Sequence, residues 1–301
     1  MTGQALISMV RLGRPLFLVG GVVLYGLGTA IAVATGHAFD PCRYALGQAA
    51  VTAFQLMTHY ANEYFDFEAD RANTTPTTWS GGSRVLIGGA LPRSVALIAA
   101  IVLAGLGGVA TLAVAMLGER FAVIVLLATA TLAWTYSAPP LRLCARGLGE
   151  LTTAVVVTIL VPLLGFQLQA PELDGVAMLA GSIAHLALLQ FAMLLAIEFP
   201  DAAGDAATGK RTLVVRLGAR AAARLYAVAT ALALVLPGLA VAVLGAPVRV
   251  AIAGAVIAPL GLWRAVSCAD CLDPRRYERL AMCAVALVVA MAIAQLLAWL
   301  A

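Results

Sequence analysis

Long apolar stretches, separated by short segments rich in charge, Pro and Gly, run along almost the whole chain. A helix needs about 20 mostly apolar residues to cross a bilayer core that is about 30 Å thick. The pattern predicts nine membrane-spanning helices in a single membrane-embedded domain over residues 1–301, with limits 15–36, 44–65, 93–117, 121–138, 149–169, 176–199, 222–244, 249–267 and 279–300. The first stretch is too long and too internal for a cleaved signal peptide.

Composition agrees with this pattern. Hydrophobic residues make up 62% of the chain, charged residues make up 11%, and the mean hydropathy is +0.98, whereas about a quarter of the residues in soluble domains are charged. These values exclude a water-soluble globule and a disordered chain. The formal net charge is +4, but no basic run accompanies it, so we expect the lipid bilayer as partner and no nucleic acid. The predicted fold class is an all-α polytopic membrane protein.

The positions of Lys and Arg predict the orientation, because cytoplasmic loops retain basic residues. If the N-terminus and the even-numbered loops share one side, sixteen basic residues lie there and only Arg43, Arg120 and Arg249 lie on the other. We therefore expect a cytoplasmic N-terminus and a C-terminus on the opposite side. The expected location is a bacterial plasma membrane, with a site that opens to the cytoplasm.

Eight of the fifteen carboxylates gather in three places on the arginine-rich side. They are Glu63, Asp66, Glu68 and Asp70 after span two, Glu150 at the start of span five, and Glu198, Asp201 and Asp205 after span six. Ionised carboxylates near membrane depth cost several kcal/mol unless they are paired, hydrated or metal-bound. Acids placed four residues apart on one helix face also repel each other. Two such acidic stripes, Asn62–Asp66–Asp70 and Asp201–Asp205, indicate a cation held between them.

Magnesium is the cation that this ligand set favours, since it prefers hard oxygen ligands and is usually completed by phosphate. The softer ligands offer no comparable site. His59 is interpreted as a helix-packing group, and the pair Cys268 and Cys271 lacks the second pair that a zinc site needs.

Basic residues follow each acidic stripe, so the two segments resemble each other as a weak internal repeat would. Arg84 follows the first stripe, and Lys210 and Arg211 follow the second, each close to glycine. Guanidinium and ammonium groups in this position favour contact with a metal-bound diphosphate. A third segment on the same side, which contains Tyr136, Arg142 and Glu150, is expected to form another wall of the cavity.

At these residues the chain resembles the UbiA-type membrane prenyltransferase superfamily. That family has Asn-Asp-x-x-Asp-x-x-x-Asp on its second helix and Asp-x-x-x-Asp on its sixth, in a bundle of nine helices. One departure is Glu63, which stands where the family usually has Asp. The segments "GGSRVL", "YSAPPLRL", "GLGEL" and "GKRTLVVRLG" are most similar to the branch of 1,4-dihydroxy-2-naphthoate polyprenyltransferases, which implies a role in menaquinone biosynthesis.

The resemblance also implies roles for the matching residues. Asp66, Asp70, Asp201 and Asp205 would hold two Mg²⁺ ions that bridge an isoprenyl diphosphate, and Asn62 would support that site. Binding of the substrate would fall to Arg14, Arg84, Tyr136, Arg142, Lys210 and Arg211. The expected reaction is transfer of a polyprenyl group to a small aromatic acceptor with release of diphosphate.

Two other functions remain open at this point. A membrane terpene cyclase would ionise the same diphosphate but let the cation attack its own double bonds. A cation transporter would also use carboxylates within the membrane. The acids here lie at the cytoplasmic ends of the predicted spans instead of their middles, which disfavours transport.

Overall fold

The computed structural model describes residues 3–301, and these residues form helices without any strand. A π-helical turn at Val156–Leu160 lies within one continuous helix, Gly149–Gln167, whose two α-helical parts are named separately below. The helices are α1 (Gly3–Leu12), α2 (Pro15–Ala34), α3 (Pro41–Phe65), α4 (Phe67–Ala72), α5 (Arg93–Met116), α6 (Arg120–Ser137), α7 (Gly149–Val155), α8 (Val161–Gln167), α9 (Val176–Glu198), α10 (Ala202–Ala207), α11 (Leu213–Leu217), α12 (Ala219–Leu244), α13 (Val248–Val266) and α14 (Tyr277–Leu300).

All nine predicted segments are helical, and their limits agree with the prediction to within three residues. Eight of the nine predicted spans correspond, within residues 3–301, to helices that are long and apolar enough to cross a membrane. The exception is α3, which has ample length at 25 residues but carries polar groups such as Arg43, Gln55, His59 and Glu63. That α3 crosses the membrane therefore stays a prediction, as does the orientation of the N-terminus.

Small residues allow the helices of the bundle to approach closely, as is common where lipid supplies no hydrophobic driving force between helices. Gly28 of α2 lies against the backbone of Pro162, and Gly165 of α8 lies against the backbone of Tyr25. The Thr29 hydroxyl donates to the Gly165 carbonyl at 3.0 Å across the same contact. A side chain at either glycine would push α2 and α8 apart.

Polar contacts tie the helix ends together at the end of the bundle opposite the acidic stripes. Arg43 at the start of α3 pairs with the buried Glu119 before α6 at 2.7 Å, and Gln167 of α8 donates to Glu119 at 3.4 Å. The Asp40 N–H donates to the Gln169 side chain at 2.7 Å. These contacts join the ends of α3 and α8 to the residues that precede α3 and α6.

The last two long helices, α13 and α14, are joined by a buried aspartate. Asp270, in a short 3₁₀ helix between α13 and α14, pairs with Arg264 at 3.1 Å, Arg276 at 2.7 Å and Arg279 at 3.0 Å. Burial opposes ionisation of Asp270, but hydrogen bonds from the three arginines hold its pKa below its usual range. The nearby Cys268 and Cys271 are free thiols.

Helix α3 ends within the first acidic stripe, and α9 ends before the second. Each is followed by a helix of six residues, α4 and α10. On a helix, Asn62, Asp66 and Asp70 are predicted to form one stripe, and the structure shows a bend at Asp66, which closes α3 and opens α4. The Asp66 N–H still donates to Asn62 and the Asp70 N–H to Asp66, at 2.8 and 2.9 Å. The four-residue repeat therefore survives the bend.

Candidate active site

The two acidic stripes meet at Lys210. Its ammonium lies 3.0 Å from Asp66 Oδ2 and 3.4 Å from Asp205 Oδ1. All three side chains are largely buried, with exposed fractions of 13% for Lys210, 4% for Asp66 and 3% for Asp205. The second oxygen of Asp205 is buried, and no group within residues 3–301 forms a hydrogen bond with it. Residues far apart in the sequence thus face one shared space, which a positive charge already occupies.

Asn62 orients the first stripe. Its amide nitrogen donates to Asp66 Oδ2 at 2.7 Å and to the Ser137 hydroxyl at the end of α6 at 3.0 Å. The buried thiol of Cys144 lies 3.9 Å from both Asp66 oxygens, and burial raises the pKa of this thiol. Asp66 is therefore fixed by neighbours from three separate segments of the chain.

Asp70 and Asp201 both contact the segment that joins α4 to α5. Asp201 accepts hydrogen bonds from the Asn73 amide at 2.6 Å and from the Gly81 N–H at 3.2 Å. Arg84 donates to the backbone carbonyl of Asp70 at 2.5 Å. The backbone of this segment thus anchors the second stripe to the end of the first.

Glycine permits two close approaches in the same region. Gly82 has a φ of +72° and lies directly against the Asp70 carboxylate. Gly204 in α10 packs against the backbone of Ala69 and Asn73. Larger residues would separate the segment from Asp70 and α10 from α4.

Negative charge exceeds the positive charge available to neutralise it. Burial raises the pKa of Asp70 to about 8. The positive charge of Arg14 lowers this pKa only in part, and repulsion from Asp66 and Asp201 acts in the same direction as burial. Burial likewise raises the pKa of Asp205 to about 7 against the attraction of Lys210. Despite its own burial, the pKa of Lys210 stands well above the usual value because of Asp66. These shifts are typical of a carboxylate cluster that needs further cations.

Hard oxygen donors with an unpartnered buried oxygen fit a divalent metal ion. Within residues 3–301, however, no three His, Cys, Asp or Glu side chains are arranged as ligands of one metal. The ammonium of Lys210 lies between the carboxylates of Asp66 and Asp205 instead. Direct ligation by all four aspartates therefore remains a prediction.

Glu63 does not belong to this carboxylate cluster. It accepts two hydrogen bonds from Arg14 at 3.0 and 2.7 Å, and two from the N–H and hydroxyl of Ser83 at 2.6 and 2.8 Å. The side chain clamps the α1–α2 turn and the α4–α5 segment to α3. The sequence could not distinguish this clamp from a metal ligand.

A mostly apolar cavity of about 220 Å³ extends from the acidic stripes into the bundle. Its polar end contains Arg14, His59, Asn62 and Tyr136, and residues such as Leu24, Val51 and Val288 line the rest. Two residues of the π-helical turn, Val156 and Val157, also face it. We call this space the inner cavity. A second hollow of about 530 Å³, which shares Arg14 and Phe17 with it, contains Arg11 and Arg84.

The predicted binding residues Arg142 and Arg211 lie outside the network of side-chain contacts that surrounds the aspartates. Among the described residues, the side chains of Arg142 and Arg211 make no hydrogen bond or ion pair. Arg211 is exposed, and only its backbone is engaged, with Ala145 and Arg216. The predicted role of both side chains in diphosphate binding therefore has no support from a direct contact.

The sequence profile of the UbiA prenyltransferase family matches residues 22–287. This chain belongs to that family. It is accordingly an integral membrane protein with the helical fold of the UbiA prenyltransferases. No curated protein sequence matches the chain significantly.

Solved structures of UbiA homologues share the fold over nearly the whole chain. A structure of digeranylgeranylglyceryl phosphate synthase is 17% identical, with a TM-score of 0.66 and coverage of 98% of this chain and 99% of that one. An apo UbiA homologue from Aeropyrum pernix K1 is 16% identical, with a TM-score of 0.68 and coverage of 90% and 96%. A UbiA homologue from Archaeoglobus fulgidus bound to GPP and Mg²⁺ is 15% identical, with a TM-score of 0.63 and coverage of 95% and 99%.

Proposed function

We propose that this UbiA family member is a magnesium-dependent prenyltransferase that joins a polyprenyl diphosphate to a small aromatic acceptor and releases diphosphate. The observation that carries the proposal is the shared position of Asp66 and Asp205 on either side of Lys210. The buried acids are complementary in charge to a metal ion, and the ammonium is complementary to the diphosphate that the metal would carry. The UbiA homologue from Archaeoglobus fulgidus, which binds GPP or DMAPP with Mg²⁺, supports the same substrate class.

Asp66, Asp70, Asp201 and Asp205 would hold two Mg²⁺ ions in this proposal. When bound, the metal neutralises charge that develops on the leaving diphosphate. The ammonium of Lys210 and the guanidinium of Arg84 would bind diphosphate oxygens. Asn62 keeps Asp66 in its orientation through the hydrogen bond at 2.7 Å.

The inner cavity supports the remaining requirements of prenyl transfer. Its apolar walls exclude water, which would otherwise capture an allylic carbocation. Its polar end adjoins Asn62 and Tyr136, so the reacting carbon of a prenyl chain would lie between the diphosphate site and the apolar walls. The aromatic side chains of Phe17 and Phe54 within the same lining favour a flat apolar acceptor. We further propose that the site opens to the cytoplasm and that the acceptor belongs to quinone biosynthesis.

Product analysis tests this function. Purified protein is incubated with Mg²⁺, geranyl diphosphate and a panel of acceptors, which includes aromatic acids and a glycerol phosphate, and products are identified by mass. We expect an alkylated aromatic product from the unmodified protein and none from Asp205→Asn. Asp174→Asn, which alters an exposed aspartate before α9, is the matched control and should retain activity.

Three results would contradict the proposal. A cyclised hydrocarbon formed without any acceptor would indicate a terpene cyclase. Exclusive alkylation of the glycerol phosphate would exclude an aromatic acceptor. Ion flux lost in Asp201→Asn, in a protein that binds no prenyl diphosphate, would indicate transport.

A further inference from the structure

His59 is a histidine without a hydrogen-bond partner at the polar end of the inner cavity. Neither ring nitrogen makes a hydrogen bond within residues 3–301, and Nε2 is buried. The ring centroid lies 5.8 Å from that of Phe17. Because His59 is three residues before Asn62 on α3, it lies about 4.5 Å deeper along the helix axis. It is therefore close to the diphosphate site but on the side of the acceptor and the prenyl chain.

No other group in the lining can accept a proton in the way that imidazole can. Arg14 is permanently charged and paired with Glu63. Tyr136 presents a phenol, and the remaining polar lining residues are amides and alcohols, several of which already donate to backbone carbonyls. Neither α9 nor α14 contributes a charged or titratable side chain to the lining. His59 is thus the one neutral base among the lining residues.

We propose that His59 accepts the hydroxyl proton of an aromatic acceptor bound in the inner cavity, so that the enzyme selects acceptors that carry a ring hydroxyl. This assignment rests on the proposed function. A hydroxyl group that donates to the imidazole supplies the partner that the ring nitrogens lack. The contact also increases electron density on the ring carbon beside the hydroxyl.

The proton balance of the step is complete. As His59 takes the hydroxyl proton, the neighbouring ring carbon forms a bond to the allylic carbon. The bond from the allylic carbon to the diphosphate oxygen breaks, and its electron pair leaves with diphosphate. His59 then returns its proton to the oxygen, while the ring proton leaves on diphosphate and aromaticity is restored.

The test uses His59→Asn, which retains a hydrogen-bonding side chain of smaller size but no base. The probes are geranyl diphosphate with 1-naphthol, and with 1-methoxynaphthalene, in which the hydroxyl is blocked. At pH 7 we expect unmodified protein to prenylate 1-naphthol and not the methyl ether, and we expect kcat/KM for 1-naphthol to fall about 100-fold in the variant. Raising the pH should increase kcat/KM of the variant for 1-naphthol by about tenfold per pH unit, up to the pKa of 1-naphthol itself. The reason is that the solvent then removes the hydroxyl proton. Unmodified protein should show no such rise above the pKa of His59.

Binding of geranyl diphosphate with Mg²⁺, measured by calorimetry, separates this proposal from the function on which it rests. Binding should be equal in the variant and the unmodified protein. If binding is intact but the variant prenylates 1-naphthol normally, or lacks the pH rescue, His59 is not the base and the proposed function stands. Failure of unmodified protein to prenylate 1-naphthol would also overturn the role of His59. Absence of binding in both proteins would instead refute the proposed function.

Discussion

Replacing Lys210 with Met should destabilise the metal-free protein and make Mg²⁺ a stronger stabiliser. Lys210 neutralises Asp66 at 3.0 Å and Asp205 at 3.4 Å, and all three side chains are less than one-seventh exposed. Loss of one partner from a buried ion pair costs about 3–5 kcal/mol, because the other charge stays buried without compensation. For a chain of this length the loss corresponds to a decrease in Tm of about 5–8 °C.

Thermal unfolding in detergent, with and without Mg²⁺, measures both effects. A ligand that binds only the folded protein stabilises it by about 2.7 kcal/mol at a concentration of 100 times its Kd. In the unmodified protein Mg²⁺ must compete with the ammonium for Asp66 and Asp205. In Lys210→Met it meets unpaired carboxylates, so the increase in Tm on adding Mg²⁺ should be larger in the variant.

Arg211→Met is the matched control for stability. It removes one positive charge from the adjacent position, but the Arg211 side chain is exposed and only its backbone is bonded. We expect a change in stability within about 0.5 kcal/mol. Equal loss of Tm in the two variants, or an unchanged response to Mg²⁺ in Lys210→Met, would refute the inference that Lys210 holds the acidic stripes together.

Three further substitutions test other parts of the site and the fold. Gly82→Ala should nearly abolish prenyl transfer while leaving membrane insertion intact, since its side chain would collide with Asp70 at a positive φ; normal activity would show that the turn can move. Glu63→Gln leaves Arg14 without its buried partner, so we expect a stability loss of about 3 kcal/mol in thermal unfolding, and a neutral result would contradict the clamp. The depressed pKa of Asp270 stabilises the fold above the ordinary Asp pKa, and this stabilisation is lost as the pH falls. Asp270→Asn should therefore lower Tm at pH 7 and flatten its decline in acid, and an unchanged pH profile would contradict this assignment.

Helix positions were predictable to within three residues because each boundary has a chemical signal. Pro15 begins α2, Asp40 caps α3 before Pro41, and Pro200 follows the end of α9. The meeting of the acidic stripes was also predictable, because two clusters of buried carboxylates on one side of a bundle need a cation, and one cation between them can serve both. Contacts across the bundle confirm that meeting, with Lys210 as the bridge.

The sequence could not assign individual partners within the site. Glu63 has the same charge and helix face as a metal ligand, but its orientation is decided by Arg14 and Ser83, which come from distant segments. The sequence favours a packing role for His59, because a lone histidine on a transmembrane helix face is more often a packing group. Its position in the cavity depends on how α2, α6 and α9 pack around α3, and periodicity in one helix contains no information about that packing.

The excess of acid at the site also explains why Lys210 is a lysine. One ammonium on a flexible stem contacts Asp66 and Asp205. In the proposed function it would turn to a diphosphate oxygen once metal had neutralised those acids. A guanidinium, which is planar and prefers two parallel hydrogen bonds to one carboxylate, would make this exchange less readily. Lys210→Arg should therefore preserve the metal-free Tm better than Lys210→Met does, yet still reduce prenyl transfer. This separates the charge that the fold requires from the mobility that the reaction requires.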